Sequence, residues 1–203
     1  SCNGNKEYFS QWPYTHKLVS FPCCVDNDYC KENFDEEKKN FLRNHYNIGE
    51  NKIVFGYCGR LTKRKNIETL IRACCKLSSN QLKKIHIFLV GGGDTGECLE
   101  KLAKKNNIDI TVTGYLSHEE TIKHFNILDI FCMPSLYDPS PKSLNEAMNF
   151  SLPIIVSKYC GTAKDLVIEN LNGFIFDPND VGALAKKIRS VSYTHLTLPT
   201  NTV

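Results

Sequence analysis

The stretch DPSPKSLNE carries two acids, Asp138 and Glu146, with seven residues between them. Ser140 suits a helix cap and Pro141 a first helical position, so a helix is predicted to begin there. The free amides of Lys142 and Ser143 then point out of its start, where unpaired N–H groups and the helix dipole favour an anion. Glu146 follows Lys142 by four residues and Ser143 by three, so its carboxylate shares their face and looks toward whatever those amides bind. The competing reading is a Lys142–Glu146 pair on a wet surface, worth on the order of a few tenths of a kcal/mol.

Two further loops have chemistry-bearing residues. In GRLTKRKN, Arg60 and Lys65 bracket a loop that leads into a helix. Gly59 lets the backbone come close to a ligand, Arg60 can donate a fork of hydrogen bonds and Lys65 adds a point charge, a set that suits a diphosphate. Taken alone, a solvated basic loop fits the same residues equally well. GGGDTG matches GxGxxG through Gly91, Gly93 and Gly96, yet no acid lies between Ile110 and His118, where a dinucleotide site would hold its ribose. A tight turn that lets backbone approach a ligand or a neighbouring helix is the better reading. Of the six histidines, only His118 and His124 come near one another, and their separation of six places them on different helix faces.

These loops need a scaffold. From Lys52 onward, short apolar runs alternate with amphipathic segments, the pattern of βαβ units and a parallel sheet. Strands are predicted at Lys52–Tyr57, Ile85–Val90, Ile108–Val112, Asp129–Met133, Pro153–Val156 and Gly173–Phe176. Ile67, Leu70, Ile71 and Cys74 recur at helical spacing, as do Val181, Leu184, Ala185 and Ile188, and both sets should face the core. The expected fold is α/β, a Rossmann-like doubly wound parallel sheet. Such a sheet binds ligands beyond the carboxyl ends of its strands, where the strand order reverses. Asp35–His45 is a charged helix candidate, and the rest of residues 1–51 reads as connecting segments.

Composition excludes several classes of protein. A content of 41% hydrophobic and 23% charged residues fits a globular chain with one sizeable core. The net charge of +3 arises from scattered basic residues, which argues against nucleic acid as a partner. The ten cysteines include no CxxC, and Cys74, Cys75 and Cys132 sit in apolar runs as small buried hydrophobes, so a reduced, cytoplasmic protein is expected. No apolar run approaches the ~20 residues of a membrane span.

The two ends differ from the rest. VSYTHLTLPTNTV, from Val191, is a Thr-rich string that resembles a translated laboratory transposon adapter, and the chain opens on Ser1. The expected organisation is a leading stretch over 1–51, one α/β domain over 52–190, and a sequencing artefact over 191–203.

Taken in order, GYCGRLTKRKN, FLVGGGD, VTGYLSHEE, LDIFCMPSLYD, DPSPKSLNEAMNFSLPIIVS and the Gly161–Thr162 pair followed by NGFIFDPND resemble the retaining GT-B glycosyltransferases of the group 1, family-4-like kind. The likeness runs from about Ile53 to Ile188 and covers the family's C-terminal, donor-binding domain, which implies a nucleotide-sugar-binding domain over 52–190 and an interdomain linker with a remnant of the N-terminal domain over 1–51. SFPCCVDNDYC resembles the segment that links the family's two domains, which favours a turn at Asp26, Asn27 and Asp28 over the metal-binding DxD of some sugar transferases.

The resemblance implies roles residue by residue. Arg60 and Lys65 match the basic pair that neutralises the leaving diphosphate, and Glu146 matches the acid that holds the ribose hydroxyls. Asp138 stands at the first acid position, which faces the donor sugar and is usually Glu. Arg60, Lys65 and Asp138 are thus the expected catalytic group. Pro141 replaces the family's glycine and removes one backbone donor, leaving the amides of Lys142, Ser143 and Leu144, while Gly114, Tyr115 and Leu116 match the segment near the base. The implied reaction transfers a hexose from a UDP- or GDP-linked donor, without a metal and with retention, to a carbohydrate or lipid-linked acceptor held by the N-terminal domain. The setting would be cell-surface polysaccharide or glycoconjugate synthesis, in the cytoplasm or at the inner face of the membrane, and this chain alone would bind donor without turning it over. Two rivals stand beside it: a glycoside hydrolase, which also uses two carboxylates but needs neither Arg60 nor Lys65, and a non-catalytic nucleotide-binding module.

Overall fold

The computed structural model describes residues 8–13, 19 and 24–193. Its centre is a six-stranded parallel sheet of β1 (Ile53–Cys58), β2 (Ile85–Val90), β3 (Asp109–Val112), β4 (Ile130–Met133), β5 (Ile154–Ser157) and β6 (Gly173–Phe176). The strand order is β3-β2-β1-β4-β5-β6. Each predicted strand is present, with no boundary shifted by more than one residue. β2, β4 and β5 are buried at every position. This explains why they read as continuous apolar runs rather than alternating ones.

The chain winds outward from β1 to β3 along one half, then returns to the middle as β4 and winds outward again to β6. The order therefore reverses between β1 and β4, which pair through Phe55–Ile130 and Gly56–Phe131. A crevice forms there beyond the strands' carboxyl ends. The α-helices between residues 24 and 193 are α1 (Asn27–Glu32), α2 (Glu36–His45), α3 (Ile67–Cys74), α4 (Ser79–Leu82), α5 (Gly96–Lys105), α6 (His118–His124), α7 (Lys142–Asn149), α8 (Ala163–Leu166) and α9 (Val181–Tyr193). The predicted core stripe of α3, Ile67, Leu70, Ile71 and Cys74, is fully packed, and Leu184, Ala185 and Ile188 of α9 are sealed as well. Cys75 differs from expectation and is exposed, because one step of about 100° along a helix turns it away from the face that Cys74 buries.

Residues 24–51 belong to the same packed unit, with Cys30 and Ile48 in its core. Asp26, predicted in a turn, instead caps α1 by accepting a hydrogen bond from the Tyr29 amide at 3.0 Å. Asp35 caps α2 in the same way through the Glu37 and Lys38 amides. Arg43 of α2 is buried and donates to Ile127 O, Lys52 O and Asp129. At the other end, α9 continues to Tyr193, with Val191 buried, so it enters the segment set aside as an artefact; residues 194–203 lie outside the described residues, as do 1–7, 14–18 and 20–23.

One buried histidine makes stability depend on pH. His86 of β2 meets Thr111 Oγ1 at 2.9 Å, and burial pulls its pKa down to about 4. The unfolded chain therefore binds this proton more readily than the folded one. Stability from this site is complete above the ordinary histidine range and falls as the pH drops from about 6.5 to 4, by about 3 kcal/mol in all. Chemical denaturation of wild type and His86→Gln across that window is expected to show the slope only in wild type; parallel curves would refute it.

Candidate functional site

Three loops leave the sheet at the reversal point and meet there. After β1 the chain passes Gly59, whose amide donates to Val90 O at 2.9 Å, and runs beside the loop after β2. Leu61 N–H donates to Gly92 O at 2.9 Å. A methyl at Gly93 would fall 2.0 Å from Leu61 O, and one at Gly91 2.3 Å from Gly59 O. The glycines of GGGDTG thus serve backbone-to-backbone packing between two loops, and the dinucleotide reading has no support in the geometry.

Next, residues 63–65 make a 3-10 turn that ends on Asn66 in a left-handed conformation with φ 55°. The Asn66 amide side chain holds Pro134 O at 3.2 Å. Arg64 donates to Tyr137 O at 3.1 Å, and Leu136 N–H returns a bond to Arg64 O at 2.9 Å. These bonds lace the β1–α3 loop to the β4–α7 loop. Lys65 completes the lacing by pairing its ammonium with the Asp138 carboxylate, the two side chains being 14% and 9% exposed. Asp138 in turn joins the β5–α8 loop, since its N–H donates to Tyr159 O and its carbonyl accepts from Gly161 N–H at 2.8 Å. Lys65 and Asp138, expected to serve different parts of a ligand, are therefore partners of each other. Arg60 is exposed and has no hydrogen bond or ion pair through its side chain among the described residues.

The helix α7 starts one residue later than predicted. Pro141 is its N-cap and Lys142 its first residue, so Ser140 caps nothing. The proline ring holds φ at −71°, and the residue adopts the extended ψ of 114° that suits an N-cap. Among the described residues the amides of Lys142 and Ser143 find no backbone acceptor, as expected for a first turn. The Leu144 amide is different: it donates to Pro141 O at 3.3 Å, and its side chain is buried, so Leu144 supplies packing rather than a free donor.

Glu146 lies one turn into α7, 9% exposed. Among the described residues, no donor bonds its carboxylate. Burial raises its pKa, partly offset by the nearby charges of His118 and Lys142. Its charge is felt at Cys58, the last residue of β1, and at Cys30 of α1, whose thiol burial and this carboxylate push up to about 11. A partly desolvated acid with no donor among the described residues costs the folded protein stability. It is well suited to accept hydroxyl hydrogens from something that enters.

The remaining predicted residues line the neighbouring edge. Gly114, with φ 74°, bridges to Gly91, and Thr113 Oγ1 ties the two by accepting Gly91 N–H at 3.1 Å and donating to Gly114 O at 2.9 Å. Tyr115 is 72% exposed with its ring against Gly92, while Leu116 packs on the core. Two residues were missed. His118 opens α6 beside Glu146, and its ring stacks on Tyr29 of α1 at 6.3 Å and 23°. Judging His118 only by metal-ligand spacing hid this, since its neighbours come from elements far apart in sequence.

The family description "Glycosyl transferases group 1" matches residues 38–194. An uncharacterized glycosyltransferase of Methanocaldococcus jannaschii is 30% identical over 152 residues, which make up 74% of this chain and 38% of that protein. The GalNAc-alpha-(1->4)-GalNAc-alpha-(1->3)-diNAcBac-PP-undecaprenol alpha-1,4-N-acetyl-D-galactosaminyltransferase of Campylobacter jejuni is 25% identical over 189 residues, 93% of this chain and 48% of that protein. This chain thus spans less than half the length of either relative. Among solved structures, a sucrose-phosphate synthase from Thermosynechococcus elongatus superposes with a TM-score of 0.75 at 24% identity, over 94% of this chain and 47% of that one. Anabaena HepE in complex with UDP-glucose superposes with a TM-score of 0.69 at 21% identity, over 80% of this chain and 45% of that one. Both share the fold, the Rossmann-like half of the GT-B architecture. With most of its length matched, and with its sheet, crevice and acid-bearing helix in place, the chain belongs to the glycosyl transferases group 1 family.

Proposed function

We propose that this chain is the donor-binding half of a retaining glycosyltransferase, which takes a sugar from a nucleoside diphosphate and passes it to a carbohydrate or lipid-linked acceptor. The observation that carries the reading is Glu146: a buried carboxylate with no donor among the described residues, one turn inside a helix whose first amides find no backbone acceptor among them either. A nucleoside diphosphate offers ribose hydroxyls to the acid and phosphate oxygens to the amides at once. Arg60 and Lys65 come from the facing loop to meet the charge that grows on the diphosphate as the sugar leaves. Preorganised cations and helix amides stabilise such charge without a metal. The remaining work is to hold the acceptor on the same face as the departing group, which is positioning. A companion domain would supply that, so this half alone binds donor without transfer.

The relatives lend direction. The HepE structure holds UDP-glucose, and the Campylobacter relative is named for an undecaprenol-diphosphate-linked glycan. A role in surface polysaccharide or glycoconjugate assembly follows, with a UDP- or GDP-linked donor, at the cytoplasmic face of the membrane; no helix among the described residues is long and apolar enough to cross it. Titration calorimetry of the chain with UDP and GDP is expected to show binding of one of them. Arg60→Ala combined with Lys65→Ala should weaken it about 10- to 100-fold, the loss of two charge-assisted contacts. Absence of binding to either nucleotide would sink the proposal, as would sugar release from a glycoside panel.

A further inference from the structure

We infer that His118 is a further donor-binding residue, which donates a ring N–H to a ribose hydroxyl oxygen while Glu146 accepts the hydroxyl hydrogens, with Tyr29 of α1 holding the imidazole in place. The inference rests on the proposed ribose-side role of Glu146. Its basis is the way three helices close around that acid. Asn149 follows Glu146 by three residues and so shares its face of α7. The Asn149 side-chain amide donates to Asn27 Oδ1 at 2.9 Å, which docks the start of α1 on that face. Two residues further on, Tyr29 packs against the core and lays its ring along that of His118, the centroids 6.3 Å apart and the planes 23° from parallel. His118 opens α6, two residues after the segment Gly114–Leu116. It is close enough to Glu146 for its charge to offset part of what burial does to that carboxyl.

The two side chains have complementary chemistry. An ionised carboxylate only accepts, so Glu146 can take the hydrogens of a vicinal diol but offers nothing to its oxygens. An imidazole carries at least one N–H in either charge state. His118 is exposed, and among the described residues neither of its ring nitrogens has a hydrogen-bond partner. Tyr29 meets the face of the imidazole and leaves its edge, where both nitrogens lie, open to a ligand. A ring that is already oriented loses less freedom on binding than one that must first be ordered. The pair thus presents an acceptor at depth and a donor at the rim. That pattern fits a sugar diol, whereas the carboxylate would repel a phosphate in the same place.

Calorimetry on the 203-residue chain tests this with three probes: UDP or GDP, whichever wild type takes, the 2′,3′-dideoxy form of the same nucleotide, and inorganic pyrophosphate. His118→Ala is expected to weaken the ribonucleotide about 3- to 10-fold, the loss of one hydrogen bond, and to leave the dideoxynucleotide and pyrophosphate within about twofold. His118→Phe keeps a ring for Tyr29 but has no N–H, and should lose as much as the alanine variant. Ribonucleotide affinity that is unchanged in His118→Ala, or restored to the wild-type value in His118→Phe, would show that the ring only packs. A loss of equal size on the dideoxynucleotide would show the same, since a damaged fold does not distinguish the two nucleotides by their hydroxyls. A wild-type chain that binds the dideoxynucleotide as tightly as the ribonucleotide overturns the ribose role of Glu146 and this inference with it. A wild-type chain that binds no nucleotide overturns the donor-binding reading itself.

Discussion

Glu146→Ala is expected to weaken UDP or GDP binding about 10- to 100-fold while leaving inorganic pyrophosphate affinity within about twofold. The contrast follows from position. The acid lies a turn beyond the first amides of α7, so on the proposed reading it is expected to meet the hydroxyl-rich part of a nucleotide and not its phosphates. Two charge-assisted hydrogen bonds from a ribose are worth about 1.5–3 kcal/mol each before coupling between them is counted. The same residue makes an opposite prediction for the empty protein. Its carboxyl is easier to protonate folded than unfolded, because burial penalises the charged form. The penalty is therefore full above the folded pKa and fades as the pH falls toward the unfolded value. At neutral pH Glu146→Gln, which keeps the shape without the charge, should raise the melting temperature by about 2–4 °C, the yield of roughly 1 kcal/mol in a chain of this size. Thermal melts with and without nucleotide test both signs together. A variant that melts lower when empty, or loses pyrophosphate as readily as UDP, would show Glu146 to be structural.

Legibility in sequence divided along a physical line. The strands and the stripes of α3 and α9 could be read because burial on a regular element imposes a period, and periods survive in one dimension. Glu146 was readable for a related reason: its offsets from Lys142 and Ser143 fix a shared helix face before any tertiary contact forms. Contacts between loops leave no such trace. Lys65 and Asp138 stand 73 residues apart, and nothing in GRLTKRKN or DPSPKSLNE announces that they pair. Tyr29 and His118 meet only because α1 docks beside α7, and α1 itself was hidden in a segment that read as connecting chain. The one-residue error at the start of α7 came from weighing Ser140 by cap preference alone. Pro141 itself takes the extended conformation of the N-cap, with φ −71° and ψ 114°.

Arg43→Met is expected to cost about 3 kcal/mol of folding stability, lowering the melting temperature by roughly 10 °C. In sequence Arg43 is one of several charges on a polar helix, and only the fold shows it to be buried. Its guanidinium spans the amino-terminal edge of the sheet, donating twice to Ile127 O, at 2.9 and 3.2 Å, and to Asp129 Oδ2 at 2.6 Å. Asp129 uses the same oxygen to accept the Val54 amide at 2.8 Å, so the cluster ties α2 to the starts of both central strands, β1 and β4. Removing the arginine strands the Ile127 carbonyl and leaves Asp129 with Lys39 at 3.3 Å as its remaining ion pair. The Asp129 side chain is 28% exposed, so water recovers part of the loss, which places the cost at the lower end for a broken buried pair. Because the cluster lies at the end of the strands opposite Glu146, nucleotide affinity measured well below the melting point should be unchanged. Denaturant titration paired with calorimetry separates these outcomes. A loss under 1 kcal/mol would mean that residues 24–51 merely rest on the sheet, whereas the expected loss makes them part of the cooperative unit that carries the crevice.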